Sequence, residues 1–471
     1  MGNTHSGELQ LDSDESFAGE DPLDSSGDMS AEATLIDQGE VEASDTAFAV
    51  DVDLDQLIHD NQIEDTDVTA PGLSVAVPDG DLSSSDQYIL GVEHLKRRDW
   101  AAAAEALQAS VDQNPGRNAY HSGRGVACLA YVRYRLGDSD EAIRLYREAI
   151  DIDPSLPGVR SGMAAAFARA GASQEAIESF NAAIHNDPNR LPLHFNLGNL
   201  LARMGRLDEA EAAYRVGLRC EASHAALLTN LGAVLAQQNK FSDAIASLRI
   251  VCDQEAPSWR ARFNLGLVLA RSHRWSESID VLRQLVADYP QCPRTRILTA
   301  RVMRCGGLHL EAIDVLDEFV EWGDWRPTAQ ELLGLIHESL GNPVQAVVFW
   351  KEAMHGDPQF ARPLGHLALQ ALREGEIAEA AAAIDKALAI REDSPKLWTI
   401  NGQIDLARED VGAAVKSLER AVELNDAYED ARYWLGRAYL EAGSIMGALG
   451  QYERLDAADS PLASRLKRRI G

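Results

Sequence analysis

Ten positions along this chain fall at a single spacing: Ala142, Ala176, Ala210, Ala244, Ser278, Ala312, Ala346, Ala380, Ala414 and Ala448. Each lies 34 residues after the last, nine are alanine and one is serine. A drift-free period of this length is the mark of a repeat architecture. Each unit is too small to bury its own apolar face and must stack on its neighbours. That constraint excludes one ordinary globular core, and the rest of the chain extends the array, caps it or hangs off it.

One repeat, residues 191–224, shows the local plan. Leu197, Gly198 and Leu201 share a stripe of a first helix, Gly205 closes it, and Ala210, Ala213, Tyr214 and Gly217 mark a second helix. Position 8 of the repeat is always small, as in Gly198, Gly232, Gly266 and Ala300, and position 20 is the alanine series, with Ala103 ahead of it. Small residues at both places let the two helices approach closely. Larger side chains at positions 7 and 24, such as Leu197, Tyr214, Phe180 and Trp350, fill the flanks. Position 15 is Gly137, Gly171, Gly205, Gly307, Gly341, Gly375 and Gly443, which predicts a left-handed backbone in the turn. Position 32 carries Pro115, Pro154, Pro188, Pro290 and Pro358, which end second helices.

Small at 8, alanine at 20, small at 27 and proline at 32 together resemble the tetratricopeptide repeat. The resemblance covers about four-fifths of the chain and eleven consecutive units, opening at Ser84, Gly123, Pro157, Leu191, Ala225, Trp259, Pro293, Pro327, Ala361, Pro395 and Glu429. It implies an all-α fold: a right-handed superhelical α-solenoid of antiparallel helix hairpins. Its first helices would line a concave face that binds extended peptides or partner helices. The first interval is longer, which places about five extra residues near 118–122. Position 27 becomes Val251, Leu285 and Phe319 in three central repeats, which predicts altered packing and a bend there. The expected plan is an acidic tail at 1–83, a solenoid at 84–462 and a capping helix at 463–471. In that cap, Leu462, Leu466 and Ile470 cover the last hairpin while Arg465, Lys467, Arg468 and Arg469 face water.

Charge is divided along the chain. The formal net charge is −30. Residues 1–83 hold 22 Asp and Glu and no Lys or Arg, whereas the remainder holds 52 acidic against 44 basic residues. A tail of this composition cannot bury enough apolar area to offset its ordering entropy and reads as disordered. Within it, Leu54, Leu57 and Ile58 have helical spacing among Asp51, Asp53 and Asp55: a docking element, or a stickier piece of linker. The start, Met1-Gly2-Asn3-Thr4-His5-Ser6, also fits a short acylation pattern of the kind that matches by chance. The bulk charge argues against general nucleic-acid binding. Five scattered cysteines without a C-x-x-C point to free thiols in a reducing compartment, and no run is apolar enough to span a bilayer. The expected location is the cytoplasm.

Two polar rows fall on the first helices. Position 6 is Asn196, Asn230 and Asn264 in three successive repeats. An amide both donates and accepts, so such a row can hold a peptide backbone, or it can link adjacent hairpins. It is similar to the asparagine ladder in the repeat domain of O-linked N-acetylglucosamine transferase, a resemblance confined to the repeats, with no attached catalytic domain expected. Position 13 is basic at Lys96, Arg135, Arg169, Arg203, Arg271 and Arg373. A basic row attracts acidic ligands, or it offsets helix dipoles. Asn199, Asn230 and Arg260 match three places of a chaperone-type carboxylate clamp, but Phe195 and Asn264 occupy two others and withhold that specificity. Trp322 and Trp325, between repeats seven and eight, are a contact hot spot or a seal on the junction.

No phosphate-binding loop, metal pattern, nucleophile elbow or dinucleotide fingerprint occurs, so neither catalysis nor a cofactor is expected. The expected function is a non-catalytic adaptor that binds proteins or peptides, acidic ones included, with its own acidic tail competing for the groove. The rival readings are a regulatory or substrate-recruiting subunit of a separate enzyme, such as a glycosyltransferase, and a self-assembling structural protein.

Overall fold

The structure, a computed structural model, describes residues 84–113, 119–156, 158–254, 258–317 and 323–470. The acidic tail, its element around Leu54, the acylation pattern, Phe319 and Trp322 lie outside the described residues.

All regular elements among the described residues are helical. In chain order they are α1 (Ser84–Lys96), α2 (Trp100–Gln113), α3 (Ala119–Arg135), α4 (Ser139–Ile152), α5 (Val159–Arg169), α6 (Ser173–Asn186), α7 (Leu191–Arg203), α8 (Leu207–Cys220), α9 (Ala225–Gln237), α10 (Phe241–Cys252), α11 (Trp259–Arg271) and α12 (Trp275–Asp288). There follow α13 (Pro293–Cys305), α14 (His309–Asp317), a 3₁₀ turn (Gly323–Trp325), α15 (Arg326–Ser339), α16 (Pro343–Gly356), α17 (Ala361–Arg373), α18 (Ile377–Ile390), α19 (Pro395–Ala407), α20 (Val411–Leu424), α21 (Glu429–Glu441), α22 (Ile445–Ala457) and α23 (Pro461–Ile470). Odd-numbered helices are first helices of hairpins and even-numbered ones are second helices, up to α23. The all-helical reading of the sequence therefore holds. The chain forms two compact units that divide between Ala261 and Arg262.

The periodic small residues act sterically. Every residue at position 20, from Ala103 through Ser278 to Ala448, has no exposed surface. Ser278 fits because its hydroxyl donates to the Gly266 carbonyl at 2.6 Å, so the one polar side chain in the series is satisfied. Position 8 meets the large residue at position 24 of its own hairpin. A Cβ on Gly232 or Gly266 would stand 2.6 Å from Leu248 or Leu282, and one on Gly334 would collide with the indole of Trp350. Trp350, Tyr214 and Leu248 are fully buried by this arrangement. Val251 and Leu285, the enlarged residues at position 27, are also fully buried.

Backbone torsion sets the turns. Each of the seven predicted glycines at position 15 has positive φ, between 73° and 92°. Where the repeat lacks glycine there, Arg98, Asn239, His273 and Glu409 adopt the same left-handed backbone, with φ from 58° to 61°. A side chain in this region is strained by contact between Cβ and the following carbonyl. Replacing the exposed Glu409 (φ 61°) by glycine is therefore expected to stabilise the C-terminal unit by ~0.5–1 kcal/mol, read as a higher urea midpoint. An unchanged or lower midpoint would refute the strain argument.

The extra residues of the first interval are not all loop. Residues 119–122 lengthen α3 to 17 residues, against 13 in α7, α9 or α17. At the far end α23 begins at Pro461, two residues earlier than the planned cap boundary. Leu462, Ala463 and Leu466 are buried with Tyr433 and Leu455, and Ile470 packs beside them. Leu466 stands over Gly436, the place that a second-helix residue fills in earlier hairpins.

All five cysteines are free. Burial pushes the Cys128 thiol up to about 11, against smaller opposing effects of a Tyr88 hydrogen bond and the Arg124 charge. Burial likewise raises Tyr134 and Tyr146. The unfolded thiol ionises at its ordinary value, so this contribution is complete below pH ~8.5 and is lost as pH rises towards 11. Urea midpoints should fall across that interval, and Cys128→Ser should flatten the fall. An identical slope in the variant would exclude the thiol as a source.

Candidate functional site

The candidate surface is built by the first helices. In the N-terminal unit α1 touches α3, α3 touches α5, α5 touches α7 and α7 touches α9. Among the described residues no successive pair of its second helices is in comparable contact. Helices that stay together while their partners spread apart lie on the inner side of a curve, so the first helices share the inner surface of this unit. The C-terminal unit repeats the pattern at α13–α15, α17–α19 and α19–α21.

Register along this surface is held by a contact the repeat pattern leaves unread. Position 4 of a first helix donates to the carbonyl of position 32 in the preceding repeat. Arg160 donates to Pro154 at 2.7 Å, His194 Nε2 to Pro188 at 2.8 Å, Arg296 to Pro290 at 3.1 Å, Trp398 to Glu392 at 2.8 Å and Arg432 to Asp426 at 2.7 Å. These carbonyls follow second-helix ends, where acceptors lack intrahelical partners. The signal was present as a recurrence of donors six residues after position 32, but donors of three chemical kinds conceal it.

The asparagine row divides when placed in space. Asn196 and Asn230 are buried, at 2% and 7% exposure. Asn230 Nδ2 donates to Asn199 Oδ1 at 2.7 Å, and the Tyr214 hydroxyl donates to the same oxygen at 2.6 Å. Asn199 is thus a shared acceptor that ties α7 to its own second helix and to the next first helix. This arrangement corrects the expectation of an open row of amides at Asn196 and Asn230: the alternative, linkage of adjacent hairpins, is what Asn230 and Asn199 do. Asn264 is half-buried, and Arg260 is exposed near the start of α11.

The basic row behaves similarly in part. Arg135 lies over the Trp100 ring at 4.5 Å and donates to the Tyr131 hydroxyl at 3.1 Å. Arg169 lies over the Tyr134 ring at 3.7 Å and donates to the Tyr134 carbonyl. Arg373 pairs with Glu338. Arg169 and Arg373 thus each reach position 12 of the preceding repeat, which makes position 13 an inter-repeat clasp as well as a charge. Arg203 is exposed and Arg271 half-buried. Trp325 is 39% exposed in its 3₁₀ turn.

The first helices α11, α13 and α15 differ in charge. Helices α11 and α13 carry seven arginines between them and no carboxylate. On α15, Glu331 is buried and accepts from Arg362 at 2.9 Å and His366 at 3.3 Å. His366 stacks on Trp350 with ring centroids 5.2 Å apart. Among the described residues no helix is long and apolar enough to cross a membrane, and no cluster of three or more potential metal ligands occurs.

Comparisons with known proteins follow the same repeat. Two family models, both described as "Tetratricopeptide repeat", match the chain: one at residues 90–157, 129–190, 229–293 and 401–463, the other at 167–233. Together they cover more than half of it. A search of curated proteins finds no match. Among solved structures, the chain is similar to one titled as an APC/C hetero-tetramer, Cut9–Hcn1, at 14% identity and TM-score 0.39, covering 83% of this chain and 96% of that one. It is similar to a tetratricopeptide repeat protein from Parabacteroides merdae at 16% identity and TM-score 0.36, covering 68% and 99%. It is also similar to yeast Tom70 at 11% identity and TM-score 0.48, covering 82% and 96%. The family rests on the repeat matches and not on these three likenesses.

Proposed function

The chain belongs to the tetratricopeptide repeat family, and on that premise we propose that it is a non-catalytic scaffold whose first-helix surface binds protein or peptide partners. The observation that carries this reading is the mutual contact of successive first helices. These contacts run from α1 to α9 in the N-terminal unit and recur at α13–α15, α17–α19 and α19–α21 in the C-terminal unit; Arg203 is exposed on α7 and Arg260 on α11. Asn264 and Arg271 border the same helices with part of their surface in water.

The partners are acidic. At position 13, Arg135 and Arg169 keep their charge where they lie over aromatic rings, since stacking on an aromatic face does not neutralise a guanidinium, whereas Arg373 is paired with Glu338. The acidic tail of the chain competes for this surface, and tethering gives it an effective concentration on the order of millimolar.

The test is capture with the immobilised full chain. Proteins retained by the wild type should be lost with Arg203→Glu and Arg260→Glu and kept with Glu148→Lys, a charge change on a second helix. Loss through Glu148→Lys alone, or no retained protein at all, would overturn the reading. Retention of one stoichiometric enzyme would instead favour the regulatory-subunit alternative.

A further inference from the structure

Position 18 of the repeat lies in the first turn of each second helix, and its chemistry changes along the array. In repeats two to five of the N-terminal unit it is polar and exposed: Asp140, Gln174, Asp208 and Ser242. In repeats seven, eight and eleven of the C-terminal unit it is Leu310, Val344 and Met446, at 68%, 75% and 79% exposure. In repeats nine and ten it is Ala378 and Gly412, both exposed. Hairpin packing does not account for this apolar series, since four other hairpins carry polar residues at the same place. Exposed Leu340 and Val348 widen the series around Val344, and exposed Ile445 does so beside Met446. Each of these second helices, α14, α16, α18 and α20, packs on the first helix of the following hairpin, so position 18 recurs along one edge of the stack. Single exposed apolar side chains are ordinary, whereas a series of them rimmed by polar groups marks an interaction surface.

The middle of this edge is acidic. Glu374 and Glu376 stand in the turn of repeat nine, Glu379 in the first turn of α18, and Glu409 and Asp410 in the turn of repeat ten, all exposed. Glu374 accepts from Gln370, and Asp410 caps α20 by accepting from the Ala413 N–H. The cations of these two turns are Arg373, paired with Glu338, and exposed Arg408. We infer that this edge of the C-terminal unit is a second interaction surface, and that it takes a basic amphipathic segment of a partner protein. The apolar side chains of the segment rest on Leu310, Val344 and Val348, and its Lys or Arg side chains meet Glu376, Glu379 and Glu409. The surface is separate from the first-helix surface and its acidic partners. A second copy of this chain does not match it, because a two-fold contact would set the acidic middle against itself.

The experiment titrates a labelled amphipathic peptide of repeated Leu-Lys-Lys-Leu-Leu-Lys-Leu units with the full chain and reads fluorescence anisotropy. Val344→Ser with Val348→Ser should weaken binding about tenfold. Glu376→Gln, Glu379→Gln and Glu409→Gln together should weaken it several-fold at low salt, and the difference should vanish at high salt. A control removes three charges from first turns of second helices in the N-terminal unit: Asp140→Asn, Glu175→Gln and Asp243→Asn. It should bind as the wild type does. The acidic tail is common to all these chains, so its share of the binding cancels. All the substituted side chains are exposed, and unchanged melting curves should show the array intact. An equal loss in the control, no loss in the valine variant, or wild-type dimers in sedimentation that the valine variant dissociates would overturn the inference.

Discussion

Trp350→Ala is expected to destabilise the C-terminal unit by about 3–5 kcal/mol, the range for removing a large buried aromatic side chain. Trp350 has no exposed surface, fills the space over Gly334 and stacks on His366 in the next repeat. Its loss therefore opens a cavity within one hairpin and removes a contact with the following one. Hydrogen exchange should show α15–α17 opening first, because stability in stacked repeats is a sum of local and nearest-neighbour terms. A coupled pair sharpens the test. Gly334→Ala alone should be destabilising, because its Cβ meets the indole. In a Trp350→Leu background the same substitution should cost less, because alanine at position 8 is combined with a buried aliphatic residue at position 24, Leu316 or Ile384, in two other hairpins. Additive effects would show that positions 8 and 24 do not determine each other's size.

The second large effect is expected at Glu331. Its carboxylate is buried and accepts from both Arg362 and His366 across the junction of repeats eight and nine. Glu331→Gln keeps the shape and removes the charge, so the Arg362 guanidinium loses this carboxylate in a poorly solvated place. The expected cost is about 3 kcal/mol, at the low end for a broken buried pair because Arg362 retains some exposure. Glu338→Gln removes the same chemistry from a more exposed pair with Arg373, and should cost below ~1 kcal/mol. Urea unfolding of both variants measures the difference. Equal effects would mean that burial does not set the value of these pairs. Combining Glu331→Gln with Arg362→Met should recover part of the loss, since it also removes the cation that the carboxylate had balanced.

These two sites differ in how legible they were. Trp350 was legible in part: the chain alone gave a large residue at position 24 and a small one at position 8 of the same hairpin and put the indole on the flank, whereas in the structure it stands over Gly334. Glu331 could not be paired, because its partners stand 31 and 35 residues away, at repeat positions 2 and 6 of the next unit. The asparagines show the same limit. Their recurrence was plain and their chemistry was plain, but whether an amide faces a neighbour or open solvent depends on the angle between successive first helices. The position-4 contacts went unread for another reason: arginine, histidine and tryptophan share only a donor, and residue type is a poor proxy for that.

By itself, the chain's order of residues determined the repeat, its eleven units, its all-helical class and the left-handed turns. Those follow from contacts within one hairpin and from the torsions open to glycine, and both act over a few residues. The tertiary structure alone decided that Asn230 serves Asn199, that Arg169 and Arg373 reach back to the preceding repeat, and that Glu331 is neutralised by the following one. Those outcomes depend on how each hairpin is rotated against the next. That rotation is set by the summed packing of many side chains, so no single spacing along the chain encodes it.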